Sequence, residues 1–272
     1  MRFRSRWSLH PYLPAVALRA YYTAGKHHIF WNVGQHLSLG ITEKLLITIH
    51  LIMYIEEIIH QLEEEVKVLF HEESSGHDIY HLKRTLHNAL TLQEKEGGDR
   101  LIIAVSAFLH DIHRIIQKET GKYCSPKDSL PKVREILDKT KLSEEQKEKV
   151  LHCVEYHEEY SFSENGKTVN DIEALILQDA DNLDGIGAIG IGRTFSFGGA
   201  NNLPMWIPEK PFDRVMFDES EKDASTIHHF YSKMLKLKEN MNTETAKNMA
   251  DGRHKYMELF LQEFFDEWNG KK

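Results

Sequence analysis

The stretch "SAFLHDIHRIIQ", residues 106–117, sets His110 and Asp111 side by side in one of the most apolar parts of the chain. Burying an unpaired carboxylate costs several kcal/mol, more than one position regains by packing. Two further sets of polar residues stand where amphipathicity does not account for them. One is His81, off the stripe formed by Ile79, Leu82, Leu86 and Leu90; the other is the acids of "QDADNLD", framed by "IEALIL" and "IGAIGIG". Neutral imidazoles and carboxylates make up the mixed nitrogen and oxygen set that binds a divalent ion, and an ion offsets the desolvation of the aspartate. Neighbouring residues on a helix point about 100° apart, so His110 and Asp111 can grip one ion from adjacent angles.

The elements that must position these residues are helical. From Met53 onward the apolar residues recur at helical spacing and no alternating strand pattern is found. "MYIEEIIHQLEEEVKVLF" gathers Ile55, Ile58, Leu62, Val66 and Leu69 on one face. Asp78 is placed to cap "IYHLKRTLHNALTLQEKE", and Gly97-Gly98 ends it. Asp99 caps "RLIIAVSAFLHDIHRIIQKE", apolar nearly all round from Leu101 to Leu109, as a central helix is. Ser129 opens "LPKVREILDK", and Ser143 with Gln146 forms a capping box for "EEQKEKVLHCVEYHEEY". Asp171 caps "IEALILQDADNLDGIGAIGIGRTF", and helices over Thr226–Asn240 and Thr243–Trp268 close the chain. The expected architecture is all-α, one helical bundle over residues 53–270.

The ordered set His … His-Asp … Asp on separate helices resembles the HD-domain superfamily of metal-dependent phosphohydrolases. It is most similar to a bacterial and archaeal branch with "GHDxxHxxR", here 76–84, "QDADxLDxIGAIGIxRTF", here 178–195, and "FLxxFxxEW", here 260–268. The resemblance covers about residues 55–270. It implies an HD-fold bundle and one divalent metal ion, of unspecified identity among Mn, Co, Ni, Mg and Zn, held by His81, His110, Asp111 and Asp181. Asp181 is chosen over Asp179 because the superfamily's closing motif reads Ala-Asp-x-Leu, here Ala180 to Leu183. Asp179 and Asp184 are then expected to orient a ligand or water.

Arg84 and Arg193 are candidates for substrate phosphate, each with an ion-pair role as the alternative. Many relatives carry an acid three or four residues after the HD histidine; His113 and Arg114 stand there in this chain. His113 is expected beside Asp111 in catalysis, since imidazole moves protons near neutral pH. The dinuclear branches need two more histidines before the closing Asp, the first early in the following helix. "SLPKVREILDK" has none, which favours a single ion. The implied activity is hydrolysis of a nucleotide or another small phosphorylated metabolite, as a monoester or by release of diphosphate. Two other readings are a nucleotide-sensing HD-fold protein without catalysis, and, with less support, a metal-dependent oxygenase.

Composition agrees with such an enzyme and excludes other classes. With 272 residues, 41% of them hydrophobic and 28% charged, the chain has the make-up of a globular domain. A formal charge of −8 argues against a nucleic-acid polymer as partner, because such binders need a basic face. Cys124 and Cys153 are too few for a disulfide framework and fit the reducing cytoplasm. Residues 1–52 differ from the rest, with Arg2, Arg4, Arg6, Arg19, Lys26 and Lys44 against the one acid Glu43. The run "LLITIHLIMYI" is shorter than the roughly 20 residues of a membrane span. This basic extension is expected to lie outside the functional domain, and initiation at Met53 would leave that domain whole. "GIGAIGIG" contains GxGxxG, but it follows a capped helix with acids rather than a strand, so a dinucleotide fingerprint is rejected. Gly187 and Gly190 are instead expected to let helices approach closely.

Overall fold

The computed structural model describes residues 39–163, 169–212 and 223–272, with side chains from residue 48 onward; most of the basic extension and of the loop "SENGK" lies outside these residues. The regular structure described is helical, and no strand is found among the described residues. The chain divides into two compact units, Met1–His60 and Gln61–Lys272. The first helix, α1 (Leu39–Leu69), runs through Met53 without a break, so the helical pattern starts earlier than expected. No described helix is long and apolar enough to cross a membrane.

Within the second unit α2 (Ile79–Glu96), α3 (Arg100–Leu109), α6 (Glu144–Tyr156) and α7 (Ile172–Asp184) surround one another, with α3 packed against the other three. Every residue of α3 from Leu101 to Leu109 is buried, as a helix without a polar face demands. The starts of these helices follow local chemistry. Asp78 and Asp99 accept hydrogen bonds from the first-turn amides of α2 and α3. Ser143 and Gln146 exchange both bonds of a capping box on α6.

Other boundaries also differ from the sequence reading. The helix expected over 100–119 ends at Leu109, and α4 (Ile112–Thr120) starts afresh after Asp111, whose φ of −91° and ψ of 14° leave the helical range. His110 and Asp111 are therefore a hinge between two helices rather than part of one. The helix expected over 172–195 likewise breaks at Gly185-Ile186, before α8 (Gly187–Ala200). α5 (Pro126–Leu137) is capped by Ser125, not Ser129, and its box partner is Asp128.

The late helices also split. α9 (Thr226–Ser232) is followed by a 3₁₀ turn over Met234–Asn240, and Thr243 then caps α10 (Glu244–Trp268). Gly190 owes its size to the break at Gly185: a Cβ there would lie 2.1 Å from the Gly185 carbonyl oxygen. Its role is the tight turn into α8, a different reason from the helix approach expected. Gly187 has a positive φ of 76° and lies against Arg253 of α10.

Candidate metal centre

The break after α3 turns His110 and Asp111 toward the face of α2 that carries His81 and the end of α7 that carries Asp181. His81 Nε2 lies 3.1 Å from His110 Nε2, 3.2 Å from Asp111 Oδ2 and 3.4 Å from Asp181 Oδ1. His110 Nε2 lies 3.7 Å from each of the same two carboxylate oxygens. Four donors about 2.1 Å from one ion stand about 3.0 Å apart at a right angle and about 3.4 Å at the tetrahedral angle. The four side chains fit one divalent ion.

The hydrogen bonds on the far side of each ring select the right tautomer. His81 Nδ1 donates to Asp184 Oδ2 at 2.7 Å, and His110 Nδ1 donates to the Ala107 carbonyl at 3.0 Å. Both Nε2 lone pairs therefore face each other, an arrangement that calls for a cation between them. Burial and Arg193 oppose a charge on His81, yet the Asp111, Asp181 and Asp184 carboxylates override them and raise its pKa to about 10. In the absence of a metal ion a proton would fill the place. Burial also opposes ionisation of Asp111, but His110 and His77 hold its carboxyl well below the usual range.

The candidate residues separate into distinct places. Asp184 sits directly behind His81 and accepts from Arg84 Nε at 2.7 Å and Nη2 at 2.9 Å, with Arg193 Nη1 at 3.2 Å. Arg84, expected at a phosphate, has its guanidinium on this carboxylate. Arg193 also donates from Nε to the Gly76 carbonyl, and it lines the cavity above Asp181 together with Arg114, Lys233, His229 and Phe197.

Asp179 has its carboxylate engaged at the start of α10 rather than on a ligand of this group, a correction to its expected orienting role. It is fully buried and accepts from the amides of Asn242 and Thr243, each at 2.7 Å, and from the Thr243 hydroxyl at 2.6 Å. It anchors the start of α10. His113 is also fully buried, its Nε2 turned 3.2 Å from Glu158 Oε2.

Three participants are given no place in the centre by the sequence. His77 donates from Nδ1 to Asp111 Oδ2 at 2.8 Å and so fixes that carboxylate. Burial lowers the His77 pKa to about 4, which keeps the ring neutral in this role. His157 caps the end of α6 and Glu158 follows it, and both point inward. A histidine at a helix end is too common a signal to single out.

The HD domain family model matches residues 78–186, which span His81 to Asp181. YpgQ of Bacillus subtilis is 32% identical over 206 residues, 75% of this chain and 90% of its own. The crystal structure of an HD-superfamily hydrolase from Bacillus thuringiensis matches with a TM-score of 0.58 and 37% identity, over 79% of this chain and 98% of that one. A structure of B. subtilis YpgQ in complex with ADP matches with a TM-score of 0.55 and 28% identity, over 76% of this chain and 97% of that one. The fold is that of the HD-superfamily hydrolases. The chain belongs to the HD-domain family.

Proposed function

We propose that the chain is a metal-dependent phosphohydrolase that cleaves a nucleotide or another small phosphorylated metabolite. The observation that carries this reading is the pair of facing Nε2 atoms between two carboxylates, one of which, Asp181, lines a cavity together with Arg193, Arg114 and Lys233. His81, His110, Asp111 and Asp181 would hold one divalent ion, which supplies Lewis acidity toward a phosphate oxygen and a water acidic enough to react near neutral pH. His77 and Asp184 keep Asp111 and His81 in the ligating orientation. Arg193 and Lys233 face the side on which phosphate charge would enter, where cations stabilise charge developing on the phosphoryl oxygens. Arg114 lines the same cavity and donates to Glu158, so it ties the cavity wall to the buried His113–Glu158 pair.

The nucleotide part of the reading rests on space and on a relative. A neighbouring cavity of about 760 Å³ shares His77, Arg114, Phe197 and His229 with the first, and this size suits a nucleotide. The Phe197 and His229 rings are stacked with centroids 5.7 Å apart, a flat surface for a base. The ADP complex of YpgQ supports the same substrate class. Buried, free Cys124 and Cys153 support a reducing compartment such as the cytoplasm.

The test is product analysis with the metal-reconstituted enzyme over nucleoside mono-, di- and triphosphates in Mn²⁺, Co²⁺, Ni²⁺ and Mg²⁺. Release of phosphate from monophosphates is expected for a monoesterase, and release of diphosphate from triphosphates for a pyrophosphohydrolase. Tight binding of a nucleotide with no product from any of them would favour the sensing protein instead.

We also propose residues 53–270 as the functional unit. A chain beginning at Met53 is expected to keep its metal and its melting temperature to within a few degrees, measured by metal analysis and calorimetry. Loss of the metal or of solubility would make residues 1–52 part of the domain.

A further inference from the structure

Behind the first cluster lies a second set of ligating groups. His113, in the first turn of α4, directs Nδ1 at the His110 carbonyl at 3.2 Å. His157, at the end of α6, donates from Nδ1 to the Val154 carbonyl at 2.7 Å. Each ring thereby turns an Nε2 lone pair inward, and neither Nε2 meets a hydrogen-bond donor. His113 is 0% exposed and His157 1%. Glu158 brings a carboxylate to the same point, with Oε2 3.2 Å from His113 Nε2, in a contact not aligned as a hydrogen bond. Ligating atoms of all three residues lie within 4.8 Å of one another.

Two buried ring nitrogens without a donor are costly, since each forfeits its bonds to water. One proton shared by His113 and Glu158 would satisfy that pair and leave His157 Nε2 bare. A cation satisfies all three at once. Arg114 donates to the other oxygen of Glu158.

We propose that His113, His157 and Glu158 form a second divalent-cation site beside the first. Two imidazoles and one carboxylate suit a first-row transition ion better than Mg²⁺ or Ca²⁺, which prefer all-oxygen sets. Asp111 stands between the two clusters. One carboxylate oxygen faces His81, and the residue also joins His110 and His157 in a group of ligating atoms within 4.8 Å. The His110 and His157 rings meet edge-on with centroids 5.0 Å apart. The sequence favoured one ion because α5 carries no histidine; this site draws its rings from the start of α4 and the end of α6 instead. The inference rests on the hydrolytic reading only for the shared position of Asp111.

The full chain, stripped of metal and titrated with Co²⁺ alone, tests it by visible absorption and by metal analysis after desalting. Wild type is expected to take up a second equivalent of Co²⁺ in a separate step. Glu158→Gln and His157→Gln are each expected to lose that step and keep the first. Asp181→Ala should keep the second step and lose the first, so the two sites fail independently. A wild type that saturates at one equivalent overturns the second site and leaves the first standing. So does uptake that Glu158→Gln and His157→Gln leave unchanged, which would mean that water or a proton fills the cluster. No uptake at all overturns both readings. Circular dichroism checks each variant's fold, and the wild-type titration decides the matter if a variant fails to fold.

Discussion

A chelator is expected to abolish hydrolysis and also to lower the melting temperature. An ion held by His81 and Asp181 would bind the folded chain only, since the unfolded chain does not hold residues so far apart together. A ligand at a hundredfold excess over its dissociation constant stabilises the fold by about 2.7 kcal/mol. For a domain of this size that corresponds to about 5–10 °C. Asp111→Asn should lose activity and most of this metal-dependent shift, because the amide neither neutralises nor chelates as the carboxylate does. Its metal-free form should melt below metal-free wild type, because burial opposes the Asp111 charge but His110 and His77 outweigh it, and the amide loses those ion pairs. Calorimetry with and without chelator measures both effects. A metal-free protein whose melting and turnover ignore chelator and added ion alike would reduce His110 and Asp111 to a hydrogen-bonded structural unit.

The second expected result separates two aspartates, Asp179 and Asp181, that flank Ala180. Asp181→Ala should weaken metal binding by more than about a hundredfold, beyond the 10- to 100-fold typical of residues that only orient a ligand. It should cost little in metal-free stability, because Asp181 faces the cavity. Asp179→Ala should do the opposite. It leaves the buried amides of Asn242 and Thr243 without an acceptor, at about 1–3 kcal/mol for each unsatisfied group. Metal content is expected to stay near the wild-type level while the melting temperature falls. If Asp179→Ala empties the site and Asp181→Ala does not, the closing ligand lies two residues earlier.

What the sequence determined by itself is local. The helical period of the apolar residues announced an all-α chain, and the caps at Asp78, Asp99 and Ser143 were readable because a cap is completed within three residues. The group His81, His110, Asp111 and Asp181 was legible because polar residues out of step with an apolar stripe are conspicuous, and because their order resembles a known family. Tertiary structure decided the rest. No local signal marks the hinge at Asp111: "FLHDIHRII" is apolar on both sides and reads as one helix, whereas the fold breaks it to turn both side chains toward α2 and α7. The stripe could not say that Asp179 holds α10 while Asp181 faces the histidines, since both positions are compatible with burial on α7. The support of His81 by Asp184 spans 103 residues, and that of Asp111 by His77 spans 34. Contacts of that range depend on how helices pack, and packing is a property of whole surfaces rather than of any short spacing. His157 and Glu158 were hidden for the same reason: only the approach of α6 to α3 and α4 gives their lone pairs a common point.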